Sequence, residues 1–372
     1  MQFVDVVGHN ELKKRLINEV NQNRISHAQL FLGKTGYGGL PLALAFVQYL
    51  FCKDRRQEDS CAVCDNCRRI STFQHPDIHF TFPTVQALGK LSNHFLSQWR
   101  EQLTENPYFD LHEWVGRIDD KERKPIIGAE ESLEIIKKMN LKSFEGGYKV
   151  YIIWMAEEMN PSSGNKLLKI IEEPPSNSLF ILLSENLEMV LPTILSRTQR
   201  IKIPRLSNDE VISYLVNNQG INNTEAINLA TRSEGNLIKA KSLIVALDHQ
   251  NDHRESFIKL MRCCYKKDVL AMMDWSEEMA NSGKEPLKLF LLYSLEMCRQ
   301  SILKNYVGDH LNNVSQEEKV FLENFSRFIT GNNISLFLSL FSDAHYHIDR
   351  NANSKIELTF LCFQIMRFIH VA

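Results

Sequence analysis

The sequence predicts an α/β domain built on a parallel β-sheet, followed by a small helical domain and an all-helical C-terminal domain. Short apolar runs of strand length alternate with segments of helical periodicity in the first half of the chain, which favours a parallel sheet. Strand-like runs stop near residue 203, and helical periods continue from there to residue 372. We therefore expect domains at 1–203, 204–245 and about 250–372.

The first elements follow in an informative order. Apolar residues at helical spacing predict a helix within residues 9–23, and residues 27–32 predict a short buried strand. A glycine-rich loop comes next, and an apolar helix is predicted from about 40 to 51. Strand, glycine-rich loop and helix in this order are the setting that a phosphate-binding loop requires.

The rest of the first domain is less regular. Residues 80–125 show no strong period, which predicts an irregular insertion at about 85–125 with one helix near 93–104. Later signals in this domain predict a helix at 130–139, a strand at 149–155, a helix with Asn160 as its cap and Pro161 as its first residue, and a strand at 179–183. Beyond residue 203, Ser207 and Glu210 have the spacing of a capping box, which predicts the start of a helix.

Charge and hydropathy exclude some classes of protein. The 43 basic and 45 acidic side chains give a formal net charge of −2, so no overall positive field attracts nucleic acid, and any DNA contact must be local or shared with partners. No run approaches the roughly 18 apolar residues of a membrane span, and the N-terminus lacks the pattern of a signal peptide. We therefore expect a cytoplasmic protein with no membrane partner.

The glycine-rich loop has the backbone of a phosphate-binding loop without its reactive side chains. The pattern G-x-x-x-x-G-K-[ST] uses backbone amides, a lysine and a magnesium-binding hydroxyl to hold phosphates. Here Gly39 stands at the lysine position and Leu40 at the hydroxyl position. In the alternative register, which uses Lys34 as the lysine, the first glycine would fall on Ala28 inside the strand, so we reject it. The loop glycines are Gly33, Gly36, Gly38 and Gly39.

The acidic pair that an ATPase of this type needs after its next strand is also missing. There an aspartate orients magnesium and a glutamate polarises the attacking water. Trp154 and Met155 occupy these positions, and Glu157 and Glu158 come too late, so we interpret them as a solvated pair at a helix start. Loss of both sites favours a nucleotide-fold domain that no longer hydrolyses ATP, although a glycine-rich turn unrelated to nucleotides would also fit the loop alone.

Four of the eight cysteines form a compact module. Their spacing is C-x8-C-x2-C-x2-C, which suits a single tetrahedral zinc with a structural role, because four protein ligands leave no position open for water. An iron–sulfur cluster and four free thiols on an exposed loop are the alternatives. The module consists of Cys52, Cys61, Cys64 and Cys67; the remaining cysteines, expected in the core, are Cys263, Cys264, Cys298 and Cys362.

Several motifs occur together in one order. Besides the cysteine module, they are Ser26-His27-Ala28-Gln29-Leu30-Phe31, His75-Pro76-Asp77, Glu145-Gly146-Gly147-Tyr148-Lys149-Val150, the segment from Asn165 to Pro175, and Pro192-Thr193-Ile194-Leu195-Ser196-Arg197-Thr198. In this order they resemble the clamp-loader AAA+ family of bacterial DNA polymerase III over about residues 1–245. This resemblance implies an AAA+ domain, a helical lid domain and a helical C-terminal collar.

The resemblance also implies a role for Arg197. The family's Ser-Arg-Cys motif, which supplies an arginine finger to the ATP site of the adjacent subunit, matches Ser196-Arg197-Thr198, with Thr198 departing from the cysteine. The arginine of the family's second sensor is replaced by Ile238. Together with the degenerate loop, this implies a non-hydrolysing member, with ATP bound only by neighbouring subunits.

The partners implied are clamp-loader ATPase subunits and a delta-type subunit in a hetero-oligomeric ring, which loads a sliding clamp on primer–template DNA. The chain would then serve the polymerase holoenzyme without polymerase or ATPase activity of its own. Two alternatives stay open: an active ATPase that uses Lys34, and a zinc-dependent DNA-binding protein that uses Arg68 and Arg69 beside the cysteines.

Overall fold

The computed structural model describes residues 1–370 except 122, 145, 249 and 308–315, so Glu145 of the motifs above lies outside the described residues. The chain divides into two compact units, Met1–Leu243 and Ile244–Ala372. The first unit has two apolar clusters, and the second unit has an apolar core of its own. Within the part of the chain that is described, no helix is long and apolar enough to cross a lipid bilayer.

A five-stranded parallel sheet forms the centre of the first unit; its strands are β1 (Ala28–Leu32), β2 (Ile78–Thr81), β3 (Lys149–Ile153), β4 (Ser178–Ser184) and β5 (Gln199–Lys202). They lie side by side in the order β2-β3-β4-β1-β5. Alternate side chains of β4 enter different cores, with Leu179 and Ile181 on one face and Phe180 and Leu182 on the other. Helices cover both faces, so the predicted α/β fold class is confirmed.

Capping signals mark the helices that the sequence predicted. The Asn160 side chain accepts a hydrogen bond from the Ser163 amide at the start of α7, and Ser207 and Glu210 form a reciprocal capping box at the start of α9. The helices that begin in this unit are α1 (Asn10–Asn21), α2 (Gly39–Phe51), α3 (Asp65–Ser71), α4 (Leu96–Glu105), α5 (Leu111–Ile118), α6 (Ala129–Met139), α7 (Pro161–Glu172), α8 (Pro192–Leu195), α9 (Asn208–Gln219), α10 (Asn223–Ser233) and α11 (Leu237–Asp248).

The segment 85–125 is more regular than predicted. It contains α4, as expected, and also α5, whose start is capped by Asp110 accepting from the Glu113 amide. The strands β2 and β5 were not predicted either. Each has only four residues, and three of the four residues of β5 are exposed, so neither produces a long apolar run.

The second unit is helical throughout its described residues. Its core includes the four scattered cysteines, all buried as predicted. The fold class of an α/β domain followed by helical regions is therefore confirmed, while the separate boundaries proposed for a lid at 204–245 stay a prediction. The helices are α12 (Gln250–Lys266), α13 (Val269–Ala280), α14 (Lys284–Val307), α15 (Gln316–Phe325), α16 (Ile334–Asp349) and α17 (Ser354–Phe368).

Candidate functional site

The loop between β1 and α2 follows a path that glycine makes possible. Gly36 and Gly38 have φ angles of +83° and +94°, in the left-handed region that other residues rarely adopt. A β-carbon on Gly36 would lie 2.0 Å from Asn236 Oδ1. By contrast, a β-carbon on Gly39 would meet only ordinary contacts at 3.7 Å, so the missing lysine has no steric cause.

Polar groups of this loop are bonded to other parts of the same chain. The amide and the hydroxyl of Thr35 both donate to a carboxylate oxygen of Glu185, which follows β4. Two donors at the start of α11 also bond to the loop: Asn236 Nδ2 donates to Thr35 O at 2.9 Å, and the Leu237 amide donates to Gly36 O at 3.0 Å. The carboxylate of Glu185 therefore occupies part of the loop where the backbone amides of a phosphate-binding loop would contact a bound anion.

Glu157 supports this arrangement. Its Oε1 accepts a hydrogen bond from the Glu185 amide at 2.8 Å, and burial raises the pKa of the Glu157 carboxyl above its usual range. The interpretation of Glu157 as a solvated residue was therefore wrong. Glu157 lies in a short 3-10 turn, Ala156–Glu158, and its side chain is half-buried.

A side chain from the 85–125 insertion covers the loop. A β-carbon on Gly38 would meet the Tyr108 ring at 3.4 Å, and the Tyr108 hydroxyl accepts from the Val7 amide at 3.0 Å. The Tyr108 side chain is only 5% exposed. The cavity left between the loop and residues 107–109 measures about 30 Å³, which gives room for about two water molecules. Sites that hold small organic ligands are usually ten or more times larger, on the order of 300 Å³ and above.

Trp154, at the position of the magnesium-binding acid, belongs to an aromatic cluster. Its ring centroid lies 4.9 Å from that of Phe109 and 5.3 Å from that of Trp99. Trp99 in turn stacks on Phe82 at 4.2 Å and meets Trp114 edge to face at 5.1 Å. The insertion thus packs apolar rings where a magnesium site would need oxygen ligands. Sequence reasoning missed this, although two of the four tryptophans of the chain lie in the insertion.

The four cysteines of the module converge. Their Sγ atoms all lie within 4.8 Å of one another, and the Cys61 and Cys67 sulfurs are 3.9 Å apart. A tetrahedral zinc with Zn–S bonds of about 2.3 Å would place its sulfurs about 3.8 Å apart. Cys52 follows the last residue of α2, and Cys64 precedes α3, so two helix ends bring the ligands together.

Backbone amides and burial make this cluster suitable for a metal. The Cys61 amide lies 3.2 Å from Cys52 Sγ, and the Cys64 amide lies 3.3 Å from Cys61 Sγ, so both can donate to thiolates. Cys52, Cys61 and Cys67 are buried, which disagrees with four free thiols on an exposed loop. The donor set fits a closed structural zinc site.

Arg197 is held by residues of its own unit. Its Nε donates to Glu172 Oε2 at 2.9 Å, and its Nη1 donates to Thr193 O at 3.0 Å and to Ser196 Oγ at 3.2 Å. The Arg197 side chain is 31% exposed, and it is not among the residues that line the cavity at the phosphate loop. Arg197 and Ser196 therefore lie at the surface, apart from the closed cavity that the loop glycines line.

Comparison with known proteins agrees with the motifs. A family profile described as "DNA polymerase III, delta subunit" matches residues 8–207. The DNA polymerase III subunit delta-prime of Bacillus subtilis is 29% identical over 268 residues, which cover 67% of this chain and 69% of that protein. The tau subunit of Escherichia coli is 27% identical over 246 residues, 65% of this chain but only 32% of that protein.

Among solved structures, a DNA polymerase III gamma subunit-related protein of Thermotoga maritima aligns with 96% of this chain and 99% of its own, at 15% identity and a TM-score of 0.41. A likeness this weak adds nothing to the fold described above. The family profile, however, spans more than half of the 372 residues. The chain therefore belongs to the DNA polymerase III delta-subunit family of clamp-loader proteins.

Proposed function

We propose that this chain is a non-hydrolysing subunit of the bacterial replicative clamp loader, which lends Arg197 to ATP bound by a neighbouring subunit. The observation that carries this proposal is the filled phosphate loop. A chain whose own loop is closed by Glu185 and Tyr108, yet which presents an arginine in the family's finger motif, is suited to act on a neighbour's nucleotide.

Hydrolysis by this chain itself would require groups that are missing at the loop. Gly39 and Leu40 supply neither the ammonium nor the hydroxyl that contact the β and γ phosphates and magnesium. Trp154 cannot ligate magnesium. The cavity of about 30 Å³ is far too small for a triphosphate. These features argue against the active-ATPase alternative.

The proposed role of Arg197 rests on the electrostatics of phosphoryl transfer. Charge spreads over the γ-phosphoryl oxygens in the transition state, and a guanidinium placed there can accelerate the reaction by on the order of 10³–10⁵. Arg197 is partly exposed, so a neighbouring subunit could reach it. Ser196 contributes an acceptor that holds the guanidinium, and its own hydroxyl donates to Thr193 O at 3.0 Å.

The partners follow from the family. We infer ATPase subunits of the tau or gamma type and a delta-type subunit in one hetero-oligomeric ring, with the second unit of this chain contributing to a helical collar. The ring would act on a sliding clamp at primer–template DNA. Zinc at the four cysteines would be structural, stabilising the link between α2 and α3.

Reconstitution with the cognate ATPase subunits, clamp and primer–template DNA tests this proposal. Addition of the chain should stimulate ATP hydrolysis by its partners, and Arg197→Ala should remove most of the stimulation. Arg200→Ala, an exposed arginine on β5, is the matched control and should behave as wild type. ATP turnover by the isolated chain would support the active-ATPase alternative, and tight, salt-sensitive DNA binding by the isolated chain would support the DNA-binding one.

A further inference from the structure

The guanidinium of Arg197 has five N–H donors, and its hydrogen bonds to its own chain leave from Nε and Nη1. Nε donates to Glu172, and Nη1 donates to Thr193 O and to Ser196 Oγ. Among the hydrogen bonds and ion pairs of the described residues, none involves Nη2. Both N–H donors of Nη2 therefore remain available to an anion outside this chain.

The arrangement of the three bonds limits how the guanidinium can turn. One acceptor is the carboxylate at the end of α7, and the other two belong to the short helix α8 and the residue after it. Acceptors on both Nε and Nη1 fix the plane of the group as well as its position. An arginine ordered in this way loses less rotamer entropy when it meets a phosphate than a free surface arginine does.

Glu172 orients the guanidinium of Arg197 without occupying its Nη2 atom. Its Oε2 engages Nε, so the carboxylate does not take the side-on, bidentate position that would also occupy Nη2. The Glu172 side chain is 57% exposed, so solvent screens the ion pair, and the positive charge of Arg197 is only weakly offset. Such a contact can fix the orientation of the Arg197 guanidinium while leaving its positive charge available to an anion outside this chain.

We infer that Glu172 is a positioning residue for Arg197: it orients the guanidinium so that the N–H donors of Nη2 face the γ-phosphate of the neighbouring subunit. This inference rests on the proposed finger function and adds to it a residue that never touches ATP. Ser196 Oγ is the second positioning group. Loss of either should misplace the finger, and a misplacement of about 1 Å can reduce a rate on the order of 100-fold.

The test compares Arg197→Ala, Glu172→Ala, Glu172→Gln and Ser196→Ala in the reconstituted loader. The measured quantities are kcat and KM for ATP of the partner ATPase subunits, at saturating concentrations of this chain. Glu173→Ala is the matched control, because Glu173 is the next residue, is exposed, and has no ion pair or side-chain hydrogen bond in the described part of the chain. Thermal unfolding of each variant checks that the fold is retained, and the exposure of Glu172 makes this the expected result.

We expect Glu172→Ala to lower kcat about 10-fold or more with little change in KM. Glu172→Gln should recover most of the activity, since its amide oxygen still accepts from Nε, and Ser196→Ala should show a smaller loss. If Arg197→Ala lowers kcat while Glu172→Ala matches wild type or raises it, Glu172 does not position the finger, although the finger itself stands. An unchanged kcat with Arg197→Ala overturns both the finger and the inference built on it.

Discussion

The ring of Tyr108 lies over Gly38, where a β-carbon would meet it at 3.4 Å. A residue of the insertion therefore covers the residue that precedes α2, at the helix N-terminus where a bound phosphate would be expected. Glu185 adds a carboxylate to the same loop through Thr35. Groups of the same chain thus contact the loop where a nucleotide would bind, and this supports the proposed lack of hydrolysis more strongly than the missing lysine alone.

This arrangement predicts that restoring the missing side chains will not restore nucleotide binding. Gly39→Lys should be tolerated, because a β-carbon there meets only contacts at 3.7 Å, and Leu40→Thr returns the hydroxyl. We expect the double variant to bind a fluorescent ATP analogue no better than the wild-type chain, since the pocket stays filled. Titration followed by fluorescence anisotropy measures this directly.

The matched comparison adds Tyr108→Ala to the same double variant, which removes the ring above Gly38. If the triple variant binds the analogue weakly and the double variant does not bind it, the result agrees with a pocket that the insertion closes. Tight binding by the double variant would contradict it, because Tyr108 could then not be the obstacle.

Removal of the Tyr108 ring should also cost stability. This buried side chain fills space beside the loop, and truncation of large aromatic residues in cores typically costs 3–5 kcal/mol, so we expect about 3 kcal/mol for Tyr108→Ala. Tyr108→Phe keeps the ring and loses only the acceptor for the Val7 amide, which should cost about 1 kcal/mol. Urea unfolding followed by tryptophan fluorescence measures both, and equal stability of the two variants would show that the ring is not packed.

The sequence predicts the fold and the cysteine module well, because both depend on local patterns. β3 and β4 are buried on both faces and consist largely of apolar residues. The close spacing of Cys61, Cys64 and Cys67 brings their sulfurs together at the start of one short helix. Tyr108 and Glu185 could not be placed in this way. Their contacts with the loop join residues about 70 and 150 positions apart, which no local period encodes.

The cysteine cluster predicts a metal content of about one zinc per chain. We expect metal analysis of the purified protein to find zinc in this ratio, and Cys61→Ser to lower the zinc content and the midpoint of thermal unfolding, because metal binding and folding of the site are coupled. Cys298→Ala, a change in the core of the second unit, is the control for zinc content. Iron with broad visible absorption in place of zinc would favour the iron–sulfur alternative.

Asn236 links α11 to the phosphate loop, and its two functions can be separated. Its Oδ1 caps the helix by accepting from the amides of Ile238 and Lys239 at 2.9 and 3.1 Å, while its Nδ2 donates to Thr35 O at 2.9 Å. Asn236→Asp keeps the cap but places an oxygen against Thr35 O, so hydrogen–deuterium exchange should rise in residues 33–38 alone. Asn236→Ala should raise exchange in both the loop and the start of α11, and it should cost about 1–2 kcal/mol.

A cap elsewhere provides the control for this comparison. Asn222 caps α10 by accepting from the Glu225 amide at 2.9 Å, so Asn222→Ala should raise exchange in α10 and leave residues 33–38 unchanged. If exchange in the loop stays at the wild-type level in Asn236→Asp, the bond to Thr35 does not hold the loop. Glu185 and Tyr108 would then account for its closure without help from α11.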